Sequence, residues 1–132
     1  MNVSGPAVLK AFKAFTSQCP RSPDYDCGLV ILHDELELDS GKSKVKRGEG
    51  SAKGHNGIKS VQQSLQGAGL MGSIGTKFIK LGVGIGRPVS RERDEVSGYV
   101  LGQLTGVERT KIEGVAEGVV DMLEREAERM GK

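Results

Sequence analysis

The stretch that most constrains the fold is GLVILHDEL, residues 28–36, in which Leu29 to Leu32 run apolar without a break and then stop at His33, Asp34 and Glu35. A strand with one wet face alternates, whereas a continuous apolar run needs cover on both faces. Helices packed on either side of a sheet provide that cover, so the run predicts an α/β fold with this strand inside it.

The remaining sequence supplies helices and further strands. Residues 4–17 predict a helix with Ser4 as cap, Pro6 in the first turn and an apolar stripe of Val8, Ala11, Phe12 and Phe15. GKSKVKRG, residues 41–48, reads as a basic and more exposed strand. From Asn56, the spacing of Ile58, Val61 and Leu65 predicts a second helix, and GAGLMGSIG, residues 67–75, reads as a loop. KFIKLGVGIG predicts a third strand with Phe78, Leu81, Val83 and Ile85. A short helix is expected within Ser90 to Gly102, carrying Val96, Tyr99 and Val100. Thr105 and Glu108 form a capping-box pattern for a last helix, striped by Ile112, Val115, Ala116, Val119, Leu123, Ala127 and Met130. The pattern predicts one domain over residues 1–132. It is a three-layer α/β fold with a mostly parallel or mixed twisted sheet flanked by helices, thin and incomplete at its N-terminal side.

Charge narrows the partners. The formal net charge is only +2, yet Lys42, Lys44, Lys46, Arg47, Lys53 and Lys59 fall within eighteen residues. Such a patch suits a phosphate-bearing partner, and equally a solvated edge strand protected from aggregation by lysines. Cys19 and Cys27 flank a Pro-containing loop without zinc-site spacing, which points to a reducing compartment. No apolar run approaches the length of a membrane span, and no signal peptide or Arg-rich presequence opens the chain.

Two polar clusters can carry chemistry. His33, Asp34 and Glu35 end a buried strand at the edge where open α/β sheets bind ligands. Asp34 there either orients a histidine acting as general base or pairs with a nearby lysine. A metal held by these three neighbours fits poorly, since adjacent strand residues point to opposite faces. In GHNG, residues 54–57, Asn56 opens a helix and its default role is the N-cap, with His55 beside it in the loop. An asparagine amide also matches a peptide main chain or a held water. Asn2 precedes the first helix and is a possible cap. GVGIGRP lacks the spacing of a dinucleotide fingerprint or a Walker lysine, so nucleotide binding is excluded as a reading.

Taken in order, MNVSG, HDELEL with the basic strand after it, GHNGIKS, and LGVGIGRP followed by GYVLG resemble the peptidyl-tRNA hydrolase family of bacterial and organellar type. The form SAKGHNG looks more like eukaryotic members. The resemblance implies an esterase that cleaves the bond between a peptide, or an N-blocked amino acid, and the 3′ end of tRNA, with water attack under general-base catalysis and no metal or organic cofactor. It implies that Asn2 positions peptide and water, that Asp34 orients the catalytic histidine, and that Asn56 contacts the substrate with His55 beside it. It implies tRNA contacts from Lys44, Lys46, Arg47 and Lys53. The position aligned with Gly82 is often basic in the family, and Lys80, two residues earlier on the same strand face, is the candidate substitute. Family members open with a strand, a Gly-Asn loop and the motif of the catalytic histidine, all expected ahead of residue 1, so this sequence reads as the C-terminal two-thirds of the pattern. A monomer in the mitochondrion or cytoplasm, with peptidyl-tRNA as partner and no membrane, completes the expectation. The alternative is a non-catalytic RNA-binding relative with a splicing-factor-like role.

Overall fold

The computed structural model describes residues 3–19, 27–48, 50, 55–86 and 105–130, with Glu108 described by its backbone alone. Among them are α1 (Ser4–Gln18), β1 (Leu29–Glu35), β2 (Ser43–Arg47), α2 (Asn56–Gly67), α3 (Met71–Ile74) and a 3₁₀ turn over Gly75–Lys77. β3 (Phe78–Gly84), α4 (Gly106–Glu113) and α5 (Ala116–Met130) follow. Asn2, Lys53 and the helix expected within Ser90 to Gly102 lie outside the described residues.

The strands form one sheet in the order β1-β3-β2. Gly48 N–H donates to Phe78 O at 2.7 Å and Gly84 N–H to Lys42 O at 2.8 Å, so β2 and β3 run antiparallel. Ile85 N–H donates to Glu35 O at 3.1 Å, joining the C-terminal ends of β1 and β3, which therefore run parallel. The sheet is mixed and the class is α/β. The expectation for β1 needs correction, because among the described residues it is an edge strand of this sheet and Leu32 is 53% exposed. β3 is the strand buried on both faces, with Phe78, Ile79, Lys80 and Leu81 all enclosed. An apolar run states that cover is wanted, and only pairing decides which strand receives it.

The described chain divides into two compact units, one of Met1–Ile31, Lys46–Lys80 and Glu128–Lys132, the other of Leu32–Val45 and Leu81–Ala127. In the first unit Val61, Leu65, Met71, Ile74 and Phe78 make the core, and Val8, Leu9, Phe12, Leu29, Ile31 and Leu70 pack against it. Full burial of side chains such as Leu65 and Phe78 contributes roughly 1.5–3 kcal/mol each. The stripe of α1 is thus Val8, Leu9 and Phe12, while Ala11 and Phe15 are exposed. Ser4 is not the cap of α1. Val3 occupies that position without a side-chain bond, and the Gly5 N–H is satisfied across the interface by Ser60 Oγ of α2 at 2.8 Å. A Cβ at Gly5 would overlap the Ser60 carbonyl oxygen, so glycine lets the two helices touch. Residues 71–74, expected as loop, form α3, because Leu70, Met71 and Ile74 share one face that the core can take up.

The last turn of α5 also belongs to this unit. Met130 lies on the backbone of Gly28, where a Cβ would press on its sulfur and on the Lys77 carbonyl. Arg129 Nη2 donates to Thr76 O at 2.8 Å.

In the second unit the turn after β1 is clamped to the end of β3 by Gly86 N–H donating to Leu38 O at 2.9 Å. Ser43 Oγ lies 3.8 Å from Met122 Sδ. The single last helix expected from Thr105 is two helices, broken at Gly114 and Val115, with Val115 buried at the break. Ile112, Val119, Met122 and Leu123 turn partly inward and Glu126 is buried, while Ala116 and Ala127 are exposed. Among the described residues no helix is long and apolar enough to cross a membrane.

Candidate functional site

His55 directly precedes α2, and its extended backbone (φ −73°, ψ 105°) makes it the N-cap of that helix. Its Nδ1 accepts the Ile58 N–H at 3.2 Å, and its carbonyl accepts the Lys59 N–H at 3.0 Å. An acceptor at Nδ1 requires a ring with that nitrogen unprotonated. The default role of Asn56 as cap is thereby corrected: the capping acceptor is the histidine, and Asn56 is an exposed first residue of the helix. Behind it, Gly57, Ile58, Val61 and Leu65 are buried, so the exposed amide stands on a helix fixed by its inner face. The first turn of α2 carries no acidic residue, leaving the positive end of its dipole uncompensated within the helix.

The basic residues come next. The antiparallel register of the Gly48–Phe78 bond sets Lys46 opposite Lys80. Lys80 is 3% exposed and its Nζ reaches Gln62 Oε1 of α2 at 3.4 Å. Gln62 in turn donates from Nε2 to Gly50 O at 3.2 Å. A lysine–glutamine–carbonyl chain thus ties β3 and α2 to the Gly50 carbonyl. Gln62 is a residue the sequence did not single out, since only the pairing of α2 with β3 makes its polar tip important. Lys46 is half-buried and Arg47 is exposed. Two ammonium groups on facing strand positions repel, and an anion near them offsets that repulsion.

Asp34 and Lys44 belong to the second unit. Asp34 is half-buried on β1. Its carbonyl oxygen lies 2.8 Å from His33 Nδ1. Strand alternation sends the carboxylate of Asp34 and the ring of His33 to opposite faces, so Asp34 does not orient His33. The ring of His33 lies against Gly82, where a Cβ would sit 3.2 Å from Cε1 and 3.3 Å from Glu35 Cβ. Glycine at 82 therefore leaves room for an imidazole. Lys44 is exposed and faces Gly82 across the register fixed by the Gly84–Lys42 bond.

A family model described as peptidyl-tRNA hydrolase matches residues 1–131. The chain belongs to the peptidyl-tRNA hydrolase family. It is 41% identical over 113 residues to a probable peptidyl-tRNA hydrolase of Schizosaccharomyces pombe, covering 86% of this chain and 50% of that relative. It is 35% identical over 124 residues to the peptidyl-tRNA hydrolase of Geobacter sulfurreducens, covering 94% of this chain and 54% of the relative. The crystal structure of peptidyl-tRNA hydrolase from Acinetobacter baumannii matches with a TM-score of 0.62 at 32% identity, over 89% of this chain and 50% of that one. The chain spans about half the length of the curated relatives it matches.

Proposed function

We propose that this chain serves the hydrolysis of the ester bond between a peptide, or an N-blocked amino acid, and the 3′ end of tRNA. The observation that carries the proposal, beside family membership, is the division of labour at the start of α2. His55 takes the capping role, which leaves the Asn56 amide exposed for a substrate.

In this reading a water attacks the ester carbonyl while a histidine oriented by Asp34 takes its proton. Asn2 and Asn56 hold peptide and water with donor and acceptor atoms of their amides. Lys44, Lys46, Arg47 and Lys53 meet tRNA phosphates, which positions the RNA without selecting sequence. Lys80 adds charge near Gly50. The reading includes a single domain over residues 1–132 acting as a monomer, in the mitochondrion or cytoplasm.

The test is hydrolysis of an N-acetylated aminoacyl-tRNA by the purified chain, alone and joined to the segment of a full-length relative that carries the catalytic-histidine motif, with tRNA binding measured in parallel across a salt series. Expected is turnover by the joined protein, which Asn56→Ala reduces by about 10²-fold or more, a loss in the range of a positioned catalytic contact, with tRNA binding retained. Salt-sensitive binding without turnover, even by the joined protein, would favour the RNA-binding alternative. Turnover unchanged by Asn56→Ala would remove Asn56 from the site.

A further inference from the structure

We propose that Cys19 and Cys27 form a reversible dithiol–disulfide site whose oxidising partner is a low-molecular-weight disulfide of the glutathione type. The inference goes beyond the hydrolytic reading and does not depend on it. Cys27 Sγ lies 3.0 Å from Cys19 Sγ, although eight positions separate the two in the chain. A disulfide bond is about 2.05 Å long, so closure needs a movement of about one ångström.

Ordered structure on both sides holds the pair together. Cys19 is the C-cap of α1, with its N–H on Thr16 O at 3.3 Å and its Sγ 3.5 Å from Phe15 O. α1 is seated in the core through Val8, Leu9 and Phe12. Cys27 precedes Gly28, whose backbone is pressed between Met130 and the Lys77 carbonyl, and β1 starts one residue later. Both thiols are half-buried, which leaves a path for a small disulfide. Neither cysteine belongs to the residues proposed to bind tRNA or the ester.

The chemistry balances with that co-reactant alone. One cysteine, as thiolate, attacks a sulfur of the small disulfide, whose S–S bond breaks to release one small thiol. The second cysteine attacks the mixed disulfide on the first and expels the other small thiol. The protein loses two S–H bonds and gains one S–S bond, while the small disulfide takes up two electrons and the two protons.

The experiment incubates the reduced full chain in glutathione buffers of graded reduced-to-oxidised ratio, quenches with acid, alkylates with iodoacetamide and counts adducts by intact mass. Expected are only two populations, with two adducts or none, the second restored to two adducts by dithiothreitol. Cys27→Ser, or Cys19→Ser if the first variant does not fold, should instead accumulate one bound glutathione at the same ratios. The oxidised wild-type chain should melt about 5–10 °C above the reduced one, since the bond closes a short loop in the unfolded chain. A wild-type chain that retains bound glutathione would overturn the proposal. So would disulfide-linked dimers, or two alkylatable thiols at ratios that already modify the serine variant.

Discussion

The exchange of roles at the start of α2 can be tested by two neighbouring substitutions with opposite outcomes. His55→Ala removes the acceptor for the Ile58 N–H, a bond of 3.2 Å at the first turn of a helix whose inner face is core. Loss of a side-chain cap costs about 1 kcal/mol, within a range of roughly 0.5–2. Unfolding entropy near 60 °C is roughly 2.1 cal/mol/K per residue, so a chain of 132 residues has about 0.3 kcal/mol/K in all. The melting temperature should then fall by about 3–4 °C. Asn56→Ala removes no capping bond and replaces an exposed residue with the best helix former, so its melting temperature should stay within about 1 °C of wild type. Thermal denaturation followed by far-UV circular dichroism, which reports secondary structure, reads both. His55→Ser, which restores a capping oxygen, should recover most of the loss. If Asn56→Ala proves the more destabilising of the two, the cap belongs to asparagine and the exposed amide on which the proposed function rests does not exist.

Three other outcomes follow from the same structure. Gly5→Ala should destabilise the chain by about 1–3 kcal/mol in urea unfolding, because its Cβ meets the backbone of Ser60 rather than a yielding side chain; a neutral result would show that α1 and α2 are not in contact there. Gln62→Leu should speed hydrogen exchange around Gly50 and lower turnover while leaving the salt dependence of tRNA binding unchanged, since it cuts the tie from Lys80 to the loop and removes no charge; unchanged exchange would refute that tie. Lys44→Ala and Lys46→Ala should each lower the slope of log K against log salt by about one, measured by filter binding, and slopes equal to wild type would remove the strand from the tRNA contact.

Much of the fold was legible because it rests on local periodicity. α2 follows from Ile58, Val61 and Leu65, and the observed helix buries those three. β3 follows from Phe78 and Leu81. What local pattern could not supply is pairing. Leu29 to Leu32 asked for a covered strand, but nothing local told an edge position from a central one. Gly67, Gly69, Gly72 and Gly75 punctuate residues 67–75 so heavily that the shared apolar face of Leu70, Met71 and Ile74 was masked. The stripe of the last helix was drawn straight through Gly114, where the backbone breaks and rotates its apolar face. At the candidate site, the residue types and the order of the motifs were readable. The cap was not, because asparagine is the commoner capping residue and a ring nitrogen takes that place only when the preceding backbone turns it inward. Gln62 and the cysteine pair were likewise invisible, since each acquires its partner through tertiary structure.

The contact of Met130 and Arg129 with Gly28 and Thr76 bears on the order of events during synthesis. A ribosome delivers β1 long before the last turn of α5, and domains fold as units once their pieces are available. The α1–α2 contact of Gly5 with Ser60 spans 55 positions, about half the separation of Gly28 from Met130, and can form earlier. The foot of β1 must wait for residues about a hundred positions downstream, the kind of distant closure that slows folding. Until they emerge, Gly28 and the Thr76 carbonyl stay uncovered, and the nascent chain holds an unfinished strand at the place where its two thiols meet.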